Sequence, residues 1–262
     1  MSIAFDRAAG YYDESRGIPP EVEELAADRV EAAVGRPGPL LEVGVGTGRV
    51  SLPLHRRGRE VIGIDLSRSM LDRYRAKAAA AGLPPPPLLQ TDATRLPFRD
   101  TRFAAVVEVH VLHLVPDWEA ALAETRRVLV GGGAVLIGRG GGHRGAEGPR
   151  SETLRRFDAL AGSLGGGPRA IGAADVETKV AALVALGGTA EPLEPVVWEQ
   201  EETYAKALAD VERRIYSHTW RLPDEVFSTA AERLRAEVEA AHPDLDRPHP
   251  ARHEFTLTAV RF

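Results

Sequence analysis

Residues 39–65 of this 262-residue chain read PLLEVGVGTGRVSLPLHRRGREVIGID. The apolar run 39–45 is typical of a buried strand, and it ends in a glycine-rich segment. Helical spacing follows over 49–57, and the next apolar run, 60–64, ends at Asp65. Two buried strands joined by a helix predict a right-handed crossover between parallel strands.

The glycine-rich segment Gly44-Val-Gly46-Thr-Gly48 lies between the first strand and the first helix. Glycines at this place let the backbone turn sharply and let a ligand approach the main chain. Asp65 follows Gly44 by 21 residues, near the spacing at which an acid meets ribose hydroxyls. The alternative is a tight turn with a surface aspartate. A dinucleotide motif needs a small residue where this chain has Arg49, so the pattern favours a ligand without phosphate over a nicotinamide cofactor.

Beyond this stretch, the first half of the chain continues to alternate strand-like and helix-like segments. Strands are predicted at 87–91, 103–109 and 134–138, and helices at 67–81 and 116–129. Ser67 is predicted to cap the first of these helices, and the three glycines 131–133 predict a turn. This alternation predicts an α/β fold with a parallel sheet covered by helices on both faces.

Composition excludes several classes of function. The chain has a net charge of −5, 44 % hydrophobic and 27 % charged residues, and no cysteine, which rules out disulfides, thiolate metal sites and cysteine nucleophiles. No run approaches the roughly 20 apolar residues of a membrane helix. We see no export signal and expect a cytoplasmic protein. No basic stripe with interleaved aromatic residues is visible, so we expect no nucleic-acid partner.

The finer composition is unusual. The chain has no asparagine, two glutamines, two methionines and three lysines among its 33 lysines and arginines. Residues that deamidate or oxidise are scarce in proteins from hot environments, which predicts a thermophilic source. The alternative is mutational bias in a genome rich in G and C.

Several blocks in order, LLEVGVGTG, GIDLSRSML, TDATRLPF, FAAVVEVHVLHLV and RVLVGGGAVLIG, resemble the class I S-adenosylmethionine-dependent methyltransferases. Within that class the chain is similar to the small-molecule group that includes the ubiquinone and biotin biosynthesis methyltransferases. The blocks cover about residues 39–138, and the closing FTLTAVRF looks like the family's antiparallel last strand. The resemblance implies S-adenosyl-L-methionine as the cofactor and a small molecule as the methyl acceptor.

The resemblance also implies a set of cofactor-binding residues. They are Tyr12, Arg16, Glu42, Gly44, Gly46, Thr47, Gly48, Asp65, Leu66, Met70, Asp92, Ala93 and Val109. The glycines and Thr47 would cradle the methionine part and the sugar. Asp65 would accept hydrogen bonds from both ribose hydroxyls, and Asp92 would accept one from the exocyclic amine of adenine.

The remaining members of the set have supporting roles by the same resemblance. Glu42 would support the loop or the ligand amine, and Leu66 and Met70 would flank the adenine. Ala93 and Val109 would offer backbone groups. Tyr12 would fold over the cofactor, and Arg16 would pair with its carboxylate. For the polar and apolar side chains alike, simple packing is the alternative interpretation.

No catalytic residue can be assigned from the sequence. Methyl transfer is an in-line displacement, so a general base is needed only when the acceptor must lose a proton. Glu108, His110 and His113 are candidates, but such residues after a strand more often serve packing. The chain lacks the Asn/Asp-Pro-Pro-aromatic tetrad of nucleic-acid amine methyltransferases at this place. A protein that binds the cofactor without catalysis, or a nicotinamide oxidoreductase, are the rival interpretations.

The predicted organisation is a doubly wound Rossmann-like α/β fold. Its sheet has seven mostly parallel strands with an antiparallel last strand, and a helical lid insertion. We expect an N-terminal helix and cofactor-binding core over 1–140, a first insertion and helix over 141–188, a core strand over 189–200, the helical lid over 201–250, and the final core strand over 251–262. Prolines 192 and 195 interrupt the 189–200 strand. Aromatic, His and Arg residues over 216–221 either line an acceptor pocket or anchor the insertion.

Overall fold

The computed structural model describes residues 2–16, 18–140, 147–167, 171–173 and 175–262, leaving aside the side chains of residues 15 and 16. The chain forms two compact units. Unit 1 comprises Met1–Arg139, Ile171–Val196 and Phe255–Phe262, and unit 2 comprises Gly140–Ala170 and Val197–Glu254.

The strands form a mostly parallel sheet. They are β1 (Leu40–Val43), β2 (Val61–Asp65), β3 (Leu88–Gln90), β4 (Phe103–Val109), β5 (Leu129–Gly140), β6 (Thr189–Pro192), β7 (Val196–Glu202) and β8 (His249–Arg261). Their order is β3-β2-β1-β4-β5-β8-β6, and β7 pairs with β8 beside this path. The first five strands pair in parallel, whereas β6 runs antiparallel to β8. The predicted Rossmann-like fold class is confirmed.

Nine α-helices lie in the described part of the chain. They are α1 (Tyr12–Arg16), α2 (Pro20–Val34), α3 (Ser51–Arg56), α4 (Arg68–Ala80), α5 (Trp118–Val128), α6 (Pro149–Ser163), α7 (Val176–Ala185), α8 (Tyr204–Glu212) and α9 (Asp224–Ala241). Short 3₁₀ turns occupy Asp6–Ala8, Leu112–Leu114 and Ser217–Thr219. The predicted cap is present, because the hydroxyl of Ser67 accepts the N–H of Met70 at the start of α4, over 3.2 Å.

Two predicted details of the sheet are wrong. The glycines 131–133 lie inside β5 and do not form a turn. Phe103 of β4 pairs with Leu129, and Ala105 pairs with Ala134. Between these two pairs β4 advances by two residues, whereas β5 advances by five. The extra residues form a bulge in which Gly132 has a φ of 73° and donates its N–H to Phe262 over 2.7 Å. The segment 189–200 contains two strands, β6 and β7, because prolines 192 and 195 cannot donate to a ladder. The described sheet therefore has eight strands.

The centre of unit 1 is the pair β1 and β4, whose residues are all buried. Strands that are covered on both faces are expected to be continuously apolar. Each of these strands breaks that expectation once, at Glu42 and at Glu108, which are 4 % and 2 % exposed. Both glutamates lie near the C-terminal ends of their strands, which is the edge of the sheet where ligands bind in doubly wound folds.

Unit 2 contains α6, α8 and α9, together with most of β7 and the first part of β8. Its core is built from apolar side chains of the three helices. Phe157 of α6 packs against Phe227 of α9 with ring centroids 5.5 Å apart, and Leu208 of α8 and Leu234 of α9 are also buried. No helix among the described residues of either unit has the length and apolarity to cross a bilayer.

Candidate cofactor site

The segment from Gly44 to Gly48, called the glycine loop below, connects β1 to α3. A Cβ atom at Gly44 would approach Val111 to 2.6 Å, and one at Gly48 would approach the ring of Tyr74 to 2.5 Å. Glycine at these two positions therefore lets the loop backbone pack directly against Val111 and Tyr74. Gly46 differs, because among the described residues a Cβ there would meet nothing closer than the carbonyl oxygen of Gly44 at 4.0 Å. The open face of the loop is at Gly46.

The carboxylate of Asp65 joins the glycine loop to the end of β2. Its Oδ2 accepts the backbone N–H of Gly46 over 2.9 Å, and its Oδ1 accepts the N–H of Ser67 over 2.8 Å. Burial raises the pKa of Asp65, although the two amide hydrogen bonds oppose that rise. A carboxylate offers about four lone-pair positions, so Asp65 retains acceptor capacity for a pair of hydroxyl groups.

Glu42 connects β1 to the start of α3. Its Oε2 accepts the hydroxyl of Ser51, and both side chains are buried. Burial raises the pKa of Glu42 to about 8, opposed mainly by the Ser51 hydrogen bond. This contact joins β1 to α3, the two elements between which the glycine loop lies.

The predicted adenine side chains surround the ends of β2 and β3. Met70 is buried in α4, whereas Leu66 is partly exposed and accepts a hydrogen bond from Gln90 through its carbonyl over 3.0 Å. Asp92 follows β3 and accepts the N–H and the hydroxyl of Thr94 at Oδ1, over 3.0 Å and 2.9 Å. Ala93 packs against the core of unit 1.

The chain turns sharply after β4. Val109 is buried at the end of the strand, and the next residue, His110, has a φ of 55°, which is uncommon for any residue other than glycine. Val111 then packs under Gly44. Glu108, a candidate base from the sequence, accepts the hydroxyl of Thr125 on α5 over 2.6 Å. This buried contact points to packing between β4 and α5.

An N-terminal strap, residues 2–13, runs over the same edge of unit 1. Its first contact is from the hydroxyl of Ser2 to Oδ2 of Asp92, over 3.2 Å. Asp6 then accepts the hydroxyl of Ser67 over 2.7 Å and the N–H of Ser69 over 3.2 Å. The strap thus contacts Asp92, one predicted cofactor carboxylate, and two serines that follow Asp65, the other.

The strap ends at α1, where two predicted residues lie. The ring of Tyr12 packs edge-on against Phe5, with centroids 6.1 Å apart. The side chain of Arg16 lies outside the described part of the chain. Sequence reasoning missed the residue between them: Asp13 accepts the hydroxyl of Thr47 over 2.6 Å. Acidic residues in a short helical segment carry no periodicity, so only their charge at a helix start could have drawn attention to them.

The aromatic cluster predicted in 216–221 lies inside unit 2. Tyr216 is fully buried, and its hydroxyl accepts Nε of Arg150 over 3.2 Å. Trp220 donates its indole N–H to the carbonyl of Arg214 over 2.7 Å. These contacts favour the anchoring role over the pocket for this cluster.

Comparison with known proteins decides the family. Residues 41–137, from β1 to within β5, match a family model described as a methyltransferase domain. This part of the chain is similar to a methyltransferase domain. The predicted resemblance and cofactor are therefore confirmed, and the match covers the glycine loop, Asp65, Asp92 and β4.

Individual relatives extend this domain match. The chain is 44 % identical over 128 residues to a phosphatidylethanolamine N-methyltransferase of Cereibacter sphaeroides, covering 48 % of this chain and 61 % of that protein. It is 35 % identical over 134 residues to a ubiquinone/menaquinone biosynthesis C-methyltransferase of Desulfotalea psychrophila, covering 49 % and 53 %. The chain spans about half the length of the curated relatives it matches.

A solved structure matches nearly the whole of this chain. It is a Haemonchus contortus N-methyltransferase in complex with S-adenosylhomocysteine. The TM-score is 0.54 at 18 % identity, with 98 % of this chain and 57 % of that chain covered. At this identity the likeness shows the fold.

The residues present fit the family's cofactor. The open face at Gly46 leaves room for a ligand against the main chain, and Asp65 beside it has lone pairs left for hydroxyl groups. Within the described residues, no three His, Asp or Glu side chains are placed to hold one metal ion. The site's chemistry is thus that of hydrogen-bond acceptors around an open backbone turn.

Proposed function

We propose that this protein binds S-adenosyl-L-methionine and transfers its methyl group to an O, N or C centre of a small molecule. The observation that carries the proposal is the hydrogen bond from Gly46 to Asp65, which joins an open glycine loop to a carboxylate at the adjacent strand end. This arrangement lies within the matched methyltransferase domain.

The bound cofactor supplies a methyl group that is activated by a positively charged sulfur. The protein's own part is to bind, orient and exclude water. In this proposal Asp65 accepts the ribose hydroxyls, Asp92 accepts the adenine amine, and the backbone at Gly46 lies against the ligand. The other proposed contacts are Tyr12, Arg16, Glu42, Gly44, Thr47, Gly48, Leu66, Met70, Ala93 and Val109.

The proposed acceptor is a small molecule, and not a nucleic acid or a membrane. The names of two relatives, a phosphatidylethanolamine N-methyltransferase and a quinone-biosynthesis C-methyltransferase, support small acceptors of different chemistry. A general base is needed only if the accepting atom must lose a proton, and the proposal assigns none. The hydrogen bond that Glu108 accepts from Thr125 gives this carboxyl a packing role.

The proposal is tested first by binding. Calorimetric titration of the full chain with S-adenosylhomocysteine is expected to show saturable binding, whereas NAD is expected to show none. Absence of S-adenosylhomocysteine binding would overturn the proposal, and binding of NAD alone would favour an oxidoreductase.

Turnover is tested second, with S-adenosylmethionine that carries a radiolabelled methyl group. Label is expected to move to a component of a metabolite extract. A panel with phosphatidylethanolamine and a demethylated quinone then tests the acceptors named for the two relatives. Binding without any label transfer would favour a cofactor-binding protein without catalysis.

We also propose that the protein is cytoplasmic and comes from a thermophile. The support for the thermophilic source is the scarcity of asparagine, glutamine, methionine and cysteine in the chain. A melting temperature in the usual mesophilic range, about 45–65 °C, would contradict the thermophilic origin.

A further inference from the structure

Gln90 extends the contact between β2 and β3 beyond their last paired residues. Asp65 and Gln90 are the last pair of this parallel ladder, and the N–H of Thr91 donates to the carbonyl of Asp65 over 3.1 Å. One residue further along, the carbonyl of Leu66 accepts Nε2 of Gln90 over 3.0 Å. A side-chain amide therefore takes the place of a backbone donor just after the end of β2.

The carbonyl of Leu66 belongs to the same peptide group as the N–H of Ser67. That N–H donates to Oδ1 of Asp65 over 2.8 Å. The peptide group is trans, so it is planar and its C=O and N–H point in opposite directions. Gln90 and Asp65 therefore bind the two ends of one rigid group, and hydrogen bonds in such a chain polarise one another.

The second oxygen of Asp65, Oδ2, accepts the N–H of Gly46. If the Leu66 carbonyl loses its donor, the peptide group can tilt and the Ser67 N–H can turn away from Oδ1. The carboxylate can then rotate about its contact with Gly46, and its oxygens no longer face a pair of hydroxyl groups in a fixed direction.

The exposure of the two side chains suits such a connection. Asp65 is partly exposed, so the hydroxyl groups of a ligand can reach its carboxylate. Gln90 is exposed, so its side chain contributes little to the core. The hydrogen bond to Leu66 is the contact that links Gln90 to the site.

We propose that Gln90 is a positioning residue that orients the Asp65 carboxylate for the two ribose hydroxyls of the cofactor, through the peptide group between Leu66 and Ser67. This inference rests on the proposed function, since it assumes that Asp65 accepts those hydroxyls. The effect of Gln90 is therefore confined to ligands that carry them.

The test compares two ligands by calorimetry. S-adenosylhomocysteine carries both ribose hydroxyls, whereas its 2′,3′-dideoxy analogue lacks them. Gln90→Met keeps the length of the side chain and removes the donor. It is expected to weaken S-adenosylhomocysteine binding about 2- to 10-fold, the range that one hydrogen bond represents, and to leave binding of the dideoxy analogue unchanged. Gln90→Lys restores a donor and is expected to recover most of the affinity.

Gln200→Met is the matched control. Gln200 is the other glutamine of the chain, and it lies on β7 in unit 2, outside the matched residues 41–137. The control is expected to leave the binding of both ligands unchanged. In an Asp65→Ala background, Gln90→Met is expected to have no further effect, because the carboxylate that Gln90 orients is gone. Thermal melts report folding for every variant.

The outcomes separate the two proposals. If the wild-type chain binds neither ligand, the proposed function fails. If it binds both with equal affinity, cofactor binding stands and the inference fails, because the hydroxyls do not contact Asp65. If it prefers S-adenosylhomocysteine, but Gln90→Met leaves that preference unchanged or acts fully in the Asp65→Ala background, the positioning role is overturned. Should Gln90→Met not fold, Gln90→Ala, which also lacks the donor, decides by the same comparisons.

Discussion

The backbone N–H of Gly46 donates to Oδ2 of Asp65 over 2.9 Å, although 19 residues separate them in the chain. The parallel register explains the contact, because Val43, the last residue of β1, pairs with Ile64 of β2. The residues that follow each strand therefore leave the sheet side by side. Gly46 and Asp65 therefore come within hydrogen-bond distance at the edge of the sheet.

Replacing Asp65 with asparagine is expected to weaken S-adenosylhomocysteine binding by about 10- to 100-fold, the range for a hydrogen bond to a charged group. The asparagine amide would place N–H protons against the N–H of Gly46 or of Ser67, which both donate to Asp65. Calorimetric titration measures the affinity directly.

Asp72→Asn is the control for this substitution. Asp72 is an exposed carboxylate on α4 that pairs with Arg68 and Arg75. Its loss is expected to leave ligand binding unchanged. An Asp65→Asn variant that binds as tightly as the control would contradict the assignment of Asp65 to the ribose.

Much of the first half of unit 1 could be predicted from the sequence. Buried parallel strands are nearly continuous apolar runs, and glycine and Ser67 mark their ends and the helix start. Because parallel strands end at one edge, the glycine loop and Asp65 could be placed together before the structure was known. The match to the methyltransferase family model covers this same stretch.

The contacts of the N-terminal strap could not be predicted. Asp6 and Ser67 are 61 residues apart, and Asp13 and Thr47 are 34 apart. Polar pairs between a short turn and a distant loop leave no periodic pattern. The bulge in β5 was missed because a run of glycines also predicts a turn. The division of the second half into a first insertion and a helical lid stays a prediction.

Alanine substitutions in three glycines separate folding from binding. Gly58 has a φ of 76°, and no atom of the described residues lies within 4 Å of its Cβ position. Gly58→Ala is therefore expected to destabilise the protein by about 1–2 kcal/mol through backbone strain alone. Gly48 has a φ of 81°, but its Cβ would strike Tyr74, so Gly48→Ala is expected to add about 1–3 kcal/mol of overpacking. Urea denaturation measures both values.

Gly46→Ala combines the strain of Gly58→Ala with a loss of binding. Its φ is 54°, and a Cβ there has room within the protein. The free energy of unfolding is therefore expected to fall by about as much as in Gly58→Ala, about 1–2 kcal/mol. Calorimetry is expected to show that Gly46→Ala no longer binds S-adenosylhomocysteine, while Gly58→Ala binds normally. Equal binding by the two variants would mean that no ligand lies against Gly46.

Glu108 is expected to make the stability of unit 1 depend on pH. Burial raises its pKa to about 7 from an ordinary value of 4.5, against the Thr125 hydrogen bond and the charge of Lys179. Between these two values the folded protein holds a proton that the unfolded chain has released. The free energy of unfolding therefore falls as the pH rises through this window, by up to about 1.4 kcal/mol per unit.

Glu108→Gln removes this titration and keeps an oxygen for Thr125. The variant is expected to match the wild type near pH 4.5 and to exceed its stability at pH 8. Urea denaturation at both pH values measures the difference in free energy of unfolding between the variant and the wild type. The contribution of Glu42 cancels in this difference because both proteins contain it. A variant that is less stable than the wild type at pH 8 would show that the charged Glu108–Lys179 pair stabilises the core.

Glu202 is expected to give unit 2 the opposite pH dependence. Burial alone would raise its pKa, but His253, 3.1 Å away, and the N–H of Arg150, which donates over 3.0 Å, together lower it below 4.5. Arg150 lies in the first turn of α6, so the carboxylate also meets the positive end of the helix dipole. This stabilisation is present above the ordinary pKa and is lost as the pH falls through the lowered one.

Glu202→Gln keeps the size of the side chain and removes its charge. The variant is expected to lose about 1–3 kcal/mol of stability at pH 7, the range for charged hydrogen bonds, and to converge with the wild type in acid below pH 4.5. Glu201→Gln, at the exposed neighbouring position on β7, is expected to change little at either pH. In acid, protonation removes from the wild type the same charge that the substitution removes. If the difference in stability between the two proteins stays as large in acid as at pH 7, the shape of the side chain, and not its charge, accounts for the effect of Glu202.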